Sequence, residues 1–199
     1  ITTLNDPSKY GLSLALGAGE VRPLDMATAY GVFANNGVLA KTTPLLKVED
    51  ANGKILEEWK PKQNNKQVLD PQVAYEINSI LSDKEAKKPV FNFALNNLTL
   101  KDRPVASKTG TSNDYKDAWT VGYTPNLVTA VWAGNNNNKP MTPSGGSIGA
   151  APIWHEYMQN ALKNMPKEDF KQPDGIQKLT VEKYSNKLPS DLSKEFIKD

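Results

Sequence analysis

A lysine, a threonine, a glycine and a second threonine stand in a row within VASKTGTSNDYKDAWTVGYTP, residues 105–125. The segment ends an apolar run and reads as a strand. Side chains alternate along a strand, so Thr109 and Thr111 project from one face. Two hydroxyls one pleat apart can both donate to a single carboxylate, and the long stem of Lys108 can bring an ammonium to the same rim. Gly110 has no side chain, so a ligand can lie directly against the backbone there. If the strand lies at a sheet edge, its free N–H and C=O groups can also pair with an extended peptide. Lys108, Thr109, Gly110 and Thr111 thus read as a receptor for an extended peptide that ends in a carboxylate. The plainer alternative is a strand end running into a turn.

Other elements must hold that strand. GLSLALGAGEVRPLDMATAYGVFANNG, residues 11–37, reads as a glycine-punctuated turn followed by a helix. Pro23 suits a first helical turn, where its missing N–H would be unpaired anyway. Leu24, Met26, Ala27, Tyr30, Val32 and Phe33 make an apolar side too broad for a surface stripe, and Gly37 stops the helix. The GAG at 17–19 is no phosphate cradle, because the third glycine of GxGxxG would fall at Arg22. Residues 44–60 read as a hairpin turning at Asn52 and Gly53. LDPQVAYEINSILSD reads as an amphipathic helix that Asp70 caps and Pro71 opens, with Val73, Ile77, Ile80 and Leu81 on its apolar side. KEAKKP reads as a solvated charge run.

Three strand-like runs follow at 104–111, 117–124 and 127–134, the last two joined by Pro125 and Asn126 as an antiparallel pair. They are apolar on both faces, which predicts a sheet covered on both sides. NNNNKPMTPSGGSIG is a polar loop with a solvated asparagine run. APIWHEYMQNAL then reads as a helix opened by Pro152, with Ile153, Tyr157 and Ala161 on one side and Trp154, Met158 and Leu162 beside them. From Lys163 the composition turns polar. Helices interspersed with an antiparallel meander predict an α+β fold, an antiparallel sheet covered by helices on both faces.

Composition narrows the function classes. The chain has 199 residues and a formal net charge of +2, with basic residues scattered, so charge offers no reason to invoke nucleic acid. With no cysteine, disulfides, thiolate catalysis and cysteine-bound zinc are excluded. No His/Asp/Glu cluster shows metal-ligand spacing. No apolar run approaches the roughly 20 residues that span a bilayer. The first residues lack a signal peptide's pattern, and a start without methionine points to a piece of a longer chain. Ser107 with its neighbour Lys108 is a poor nucleophile–base pair, because adjacent strand residues point to opposite faces; Ser112 fares no better. His155 reads as a surface or core-edge residue, and Trp119 and Trp132 as sheet-face packing.

K-T-G is one of three signature motifs of penicillin-binding proteins and class A β-lactamases, with S-x-x-K and S-D-N. VASKTGTSNDYKDAWTVGYTPNLVTAVWAGN resembles the K-T-G strand, the next two strands and their turn in penicillin-binding transpeptidases. GLSLALGAGEVRPLDMATAYGVFANNG resembles the helix region before it, especially in class A bifunctional members. GGSIGAAPIWHEYMQNAL is similar to the family's C-terminal helix. The similarity covers about residues 9–163 and is weaker in PDGIQKLTVEKYSNKLPSD.

The resemblance implies that residues 1–163 are the C-terminal part of a transpeptidase domain and 164–199 a polar tail or small appendage. It implies a serine-type D,D-transpeptidase without cofactor, working at the outer face of the cytoplasmic membrane and acylated by β-lactam antibiotics. Lys108 would take the K-T-G lysine position. Thr109 and Thr111 would bind the carboxylate of a peptidoglycan stem peptide or of a β-lactam, and the Thr111 N–H would be one oxyanion-hole donor. Ser112, Asp114 and Tyr115 would border the cleft. Ser107 departs from the glycine or alanine common there. S-x-x-K and S-x-N are both missing; the nearest imitation, Thr3-Leu4-Asn5, is too close to K-T-G. The nucleophile, its base and the second oxyanion donor are therefore expected in an N-terminal portion of the same protein, and this chain carries one wall of a site. A D,D-carboxypeptidase or β-lactamase of the same fold, and a non-catalytic scaffold, stay open as alternatives.

Overall fold

A computed structural model describes residues 1–60, 65–142 and 145–182, with 185, 187, 188, 197 and 198. Residues 143–144 of the polar loop and most of the tail beyond 182 lie outside the described residues.

Pro23 opens helix α1, Pro23–Ala34. Gly37 follows at φ +87°, where a Cβ would sit 2.0 Å from the Leu69 carbonyl oxygen, so glycine is required there twice over. Strand β1, Val38–Leu39, pairs with β4, Lys66–Gln67, and β2, Lys47–Glu49, pairs with β3, Ile55–Glu58. The second pair is the expected hairpin. Asp50 shapes its tip, its carboxylate accepting from the N–H groups of Asn52 and Lys54, both at 2.9 Å. Helix α2, Pro71–Ser82, is capped by Asp70, which accepts from Gln72 N–H at 2.7 Å.

Strands β5 (Ala106–Thr111), β6 (Asp117–Thr124) and β7 (Leu127–Gly134) form one antiparallel sheet in the order β5-β6-β7. Helix α4, Ala151–Ala161, covers one face with Trp154 and Met158; Leu162 follows, and Leu100 and Val105 complete this cluster. Gly122 makes the close approach possible, since a Cβ there would lie 2.3 Å from the Trp154 ring. The opposite face meets α1 and α2. There Tyr123 packs edge-on against Tyr30 and Phe170 and donates to the Asn78 side-chain oxygen at 2.7 Å. Asn78 in turn donates to the Phe33 carbonyl at 3.0 Å, so one buried amide joins α1, α2 and the sheet. Burial pushes the Tyr123 hydroxyl far above its ordinary range, with Tyr30 adding to the effect.

After α4 the chain doubles back. Arg103 donates to the carbonyls of Leu162, Met165 and Pro166, satisfying acceptors left open at the helix end. Asn126 donates to Glu168 at 2.7 Å and Gln72 to the Asp174 carbonyl at 2.8 Å. Strands β8 (Val181–Glu182) and β9 (Ile197–Lys198) form a separate pair.

Three expectations need correction. In α2 the fully buried residues are Ala74 and Asn78, with Ile77 and Leu81 of the expected stripe half-buried, while Val73 and Ile80 are exposed at 42% and 66%; the inward face is turned toward the polar network of Asn78. In α4 the apolar side divides, with Trp154 and Met158 buried and Ile153 and Tyr157 exposed. KEAKKP is solvated as expected except at one position, Lys87, which is buried. It lies in helix α3, Lys84–Phe91, whose first turn is capped by Asp83 accepting from Ala86 N–H at 3.0 Å, and it turns Lys87 inward. The sequence masks this because the lysines at 84, 87 and 88 differ only in helical phase.

Candidate active site

Lys108, Thr109, Gly110 and Thr111 share β5, one of the two edge strands of its sheet among the described residues. Lys108 and Thr111 are exposed, and Thr109 and Gly110 are half-buried. The ladder to β6 runs through Gly110 opposite Trp119 and continues with Ser112 N–H donating to the Asp117 carbonyl at 3.1 Å. Because antiparallel bonding alternates, the N–H groups of Thr109 and Thr111 are turned away from β6, toward the open edge. The Thr109 carbonyl lies on that edge and accepts from Lys108 Nζ at 2.6 Å. Gly110 fits closely opposite Trp119, whose Cβ would be 3.3 Å from an added methyl.

Thr111 is oriented from behind. Its hydroxyl oxygen accepts from Gly146 N–H at 3.0 Å, which leaves its own proton free to donate. The Gly146 carbonyl accepts from the buried Thr120 hydroxyl at 3.0 Å, so Gly146 is clamped on the back of the sheet. A Cβ at Gly146 would fall 2.2 Å from the Trp119 carbonyl oxygen. Sequence reading missed this support; its one signal is the Gly-Gly pair placed before the last helix.

The turn after β5 holds the three rim residues. Ser112 donates to one Asp117 carboxylate oxygen at 2.7 Å, and the other accepts from the Trp132 indole N–H at 2.8 Å. The Ser112 hydroxyl is thereby committed to closing the turn. Asp114 and Tyr115 both adopt positive φ, +59° and +53°. For a tyrosine this costs on the order of 1 kcal/mol. The backbone N–H of Met141 donates to the Tyr115 carbonyl at 3.1 Å and holds the turn in place.

Ser107 does meet a lysine, but a different one. Lys87 Nζ donates to Ser107 Oγ at 2.7 Å, and Ser107 Oγ donates to the Leu98 carbonyl at 2.8 Å. With Ser107 only 3% and Lys87 9% exposed, no substrate reaches this pair, so it is not a nucleophile and its base. His155 is half-buried on α4, and its Nδ1 has no hydrogen-bond partner among the described residues. Among the described residues no group of three His, Cys, Asp or Glu could hold a metal. Two concavities lie elsewhere, one of about 260 Å³ beside Arg103 and α4, the other of about 330 Å³ between α1 and the β6–β7 turn. Neither is lined by the K-T-G residues.

The fold is thus α+β, with a lysine, two threonines and outward-turned amides presented along an edge strand. The family model described as "Penicillin binding protein transpeptidase domain" matches residues 5–159, and the chain belongs to that family. Among curated relatives, "Penicillin-binding protein 1A" of Neisseria lactamica is 40% identical over 169 residues, covering 83% of this chain and 21% of the relative. That of Aquifex aeolicus is 38% identical over 169 residues, with 81% and 21% covered. Among solved structures, PonA1 of Mycobacterium tuberculosis in complex with penicillin V superposes with a TM-score of 0.71 at 30% identity, covering 82% of this chain and 44% of that one. Penicillin-Binding Protein 1A of Haemophilus influenzae gives 0.75 at 26% identity, with 90% and 32% covered. The chain thus spans about a fifth of the length of these curated relatives.

Proposed function

We propose that this chain is one wall of a serine D,D-transpeptidase that cross-links peptidoglycan stem peptides and is acylated by β-lactams. The observation that carries the reading is the open edge of β5, with Lys108, Thr109 and Thr111 beside outward-facing amides. An N-terminal portion of the same protein supplies the nucleophilic serine, its lysine base and the second oxyanion donor. The serine oxygen attacks the carbonyl carbon of the penultimate D-alanine. Negative charge then builds on the carbonyl oxygen, and the Thr111 N–H donates to it; losing one such donor typically costs on the order of 100- to 1000-fold in rate. The C–N bond breaks, terminal D-alanine leaves with a proton on its amine, and the acyl group passes to an amine of a neighbouring stem. Lys108 and the hydroxyls of Thr109 and Thr111 hold the substrate's terminal carboxylate. A β-lactam carries the same carboxylate, but its broken C–N bond leaves the departing nitrogen attached, so the acyl-enzyme persists.

The reaction belongs at the outer face of the cytoplasmic membrane, where the anchor would lie in the N-terminal portion. Among the described residues no helix is long and apolar enough to cross a membrane. Exposed apolar side chains support the partnership with that portion. Leu12 and Leu16 are 97% and 92% exposed, and Ile80 and Phe93 stand open on α2 and beyond α3.

Treating the full-length protein with a fluorescent penicillin and mapping the adduct tests this. The expected adduct is an ester on a serine of an S-x-x-K motif upstream of Ile1. A folded full-length protein that never labels would mean a scaffold, and an adduct on a serine of this chain would refute the division of labour. Rapid release of hydrolysed penicillin would shift the assignment to a β-lactamase.

A further inference from the structure

We propose that Lys87 is a positioning residue for the K-T-G strand: its buried ammonium, hydrogen-bonded to Ser107, fixes the root of β5 and so the placement of Lys108 and Thr111. The inference rests on the transpeptidase reading above. Three segments converge at this point. Lys87 Nζ on α3 donates to Ser107 Oγ at 2.7 Å, and Ser107 passes its own proton to the Leu98 carbonyl, at the end of the 3-10 helix Asn92–Leu98, at 2.8 Å. Ser107 is the residue immediately before Lys108, so any slack there is carried into the substrate-facing positions.

The pair is costly for stability, which argues for a different role. Burying an ammonium against a hydroxyl, with no carboxylate in hydrogen-bond contact, is weak support for a fold. Burial brings the Lys87 ammonium down to about 8, with Asp83 opposing the shift and Lys84 adding to it. The 3-10 helix carries no charge. β5 brings only Lys108, whose ammonium is turned onto the Thr109 carbonyl. Within α3, Glu85 is paired with Lys88. Because the folded value lies below the unfolded one of 10.5, the folded chain binds fewer protons between about 8 and 10.5. Stability therefore rises with pH across that window, and the full burden is present below about 8. Deprotonation also removes the positive donor that orders Ser107, so acylation falls where stability rises.

The test compares the full-length protein with its Lys87→Met and Ser107→Ala variants, reading thermal melting and the rate of fluorescent-penicillin acylation from pH 6 to 10. Lys87→Met is expected to melt higher at pH 7 while acylating about tenfold more slowly. The wild-type decline in rate through about pH 8 should vanish in that variant. Ser107→Ala keeps the ammonium but removes its acceptor, so the decline should move to lower pH. Melting and acylation that fall together in Lys87→Met would mean a structural lysine and overturn the proposal. A decline unchanged in both variants would overturn it as well, while leaving the transpeptidase reading intact. A wild type that never labels overturns both.

Discussion

Thr111 works through two different atoms, and they can be separated. Its hydroxyl oxygen is taken by Gly146 N–H, while its own N–H points to the sheet's open edge. Thr111→Val removes the hydroxyl and keeps the amide. Acylation of the full-length protein should slow by roughly tenfold or more, the worth of one hydrogen bond to a charged group. Stability should fall by about 1 kcal/mol at most, from the orphaned Gly146 N–H. A loss of stability several times larger, with acylation reduced only in proportion, would make Thr111 a structural residue. The K-T-G run was legible in the sequence as a strand end carrying polar residues, and Lys108 and Thr111 are exposed on it. Lys87 was not legible: three lysines in one short run look alike until Asp83 fixes where the helix starts.

At the scale of elements, β6 is the member that both helical layers grip. Gly122→Ala would press a methyl into the Trp154 ring and should cost about 1–3 kcal/mol in chemical denaturation. A neutral result would mean that α4 is not seated as described. The N-terminal segment is tied to α1 through Asp25, which accepts from the Thr2 N–H at 2.9 Å and the Thr2 hydroxyl at 2.7 Å. The Thr2 N–H first, then the Thr2 hydroxyl and Arg22, hold its carboxyl down to about 2. The folded value lies below the unfolded one, so the contribution is complete above about 4 and lost as pH falls through about 2. Asp25→Asn should flatten that acid limb in a pH series of melts; an unchanged limb would place the acid sensitivity elsewhere. Both hairpins were readable from turn chemistry, at Asn52 with Gly53 and at Pro125 with Asn126. The phase of α2 was not, because hydrophobic periodicity carries no record of an amide satisfying Phe33 and Tyr123.

The whole molecule has an unfinished surface. Leu12 and Leu16 stand exposed on a 3-10 turn, Leu12–Leu16, that buries nothing, and Ile80, Val90 and Phe93 are exposed on elements that bury other residues. The chain alone should bind a hydrophobic dye such as ANS, and the full-length protein should bind much less per molecule. Equal binding by the two would mean that the N-terminal portion does not cover these faces. From sequence, the missing S-x-x-K and S-x-N lead to the proposal of a single wall. Which edge of the sheet is open, and which amides line it, depends on strand order and register, and those emerge only once β5, β6 and β7 are paired.

Hydrogen exchange across β5 in the full-length protein, before and after saturation with benzylpenicillin, tests the central claim most directly. A ligand held along the open edge should slow exchange at the outward amides of Thr109 and Thr111, while Lys108 and Gly110, already bonded to β6, change little. Complete acylation with unaltered exchange at Thr109 and Thr111 would contradict the assignment of this strand as the receiving wall.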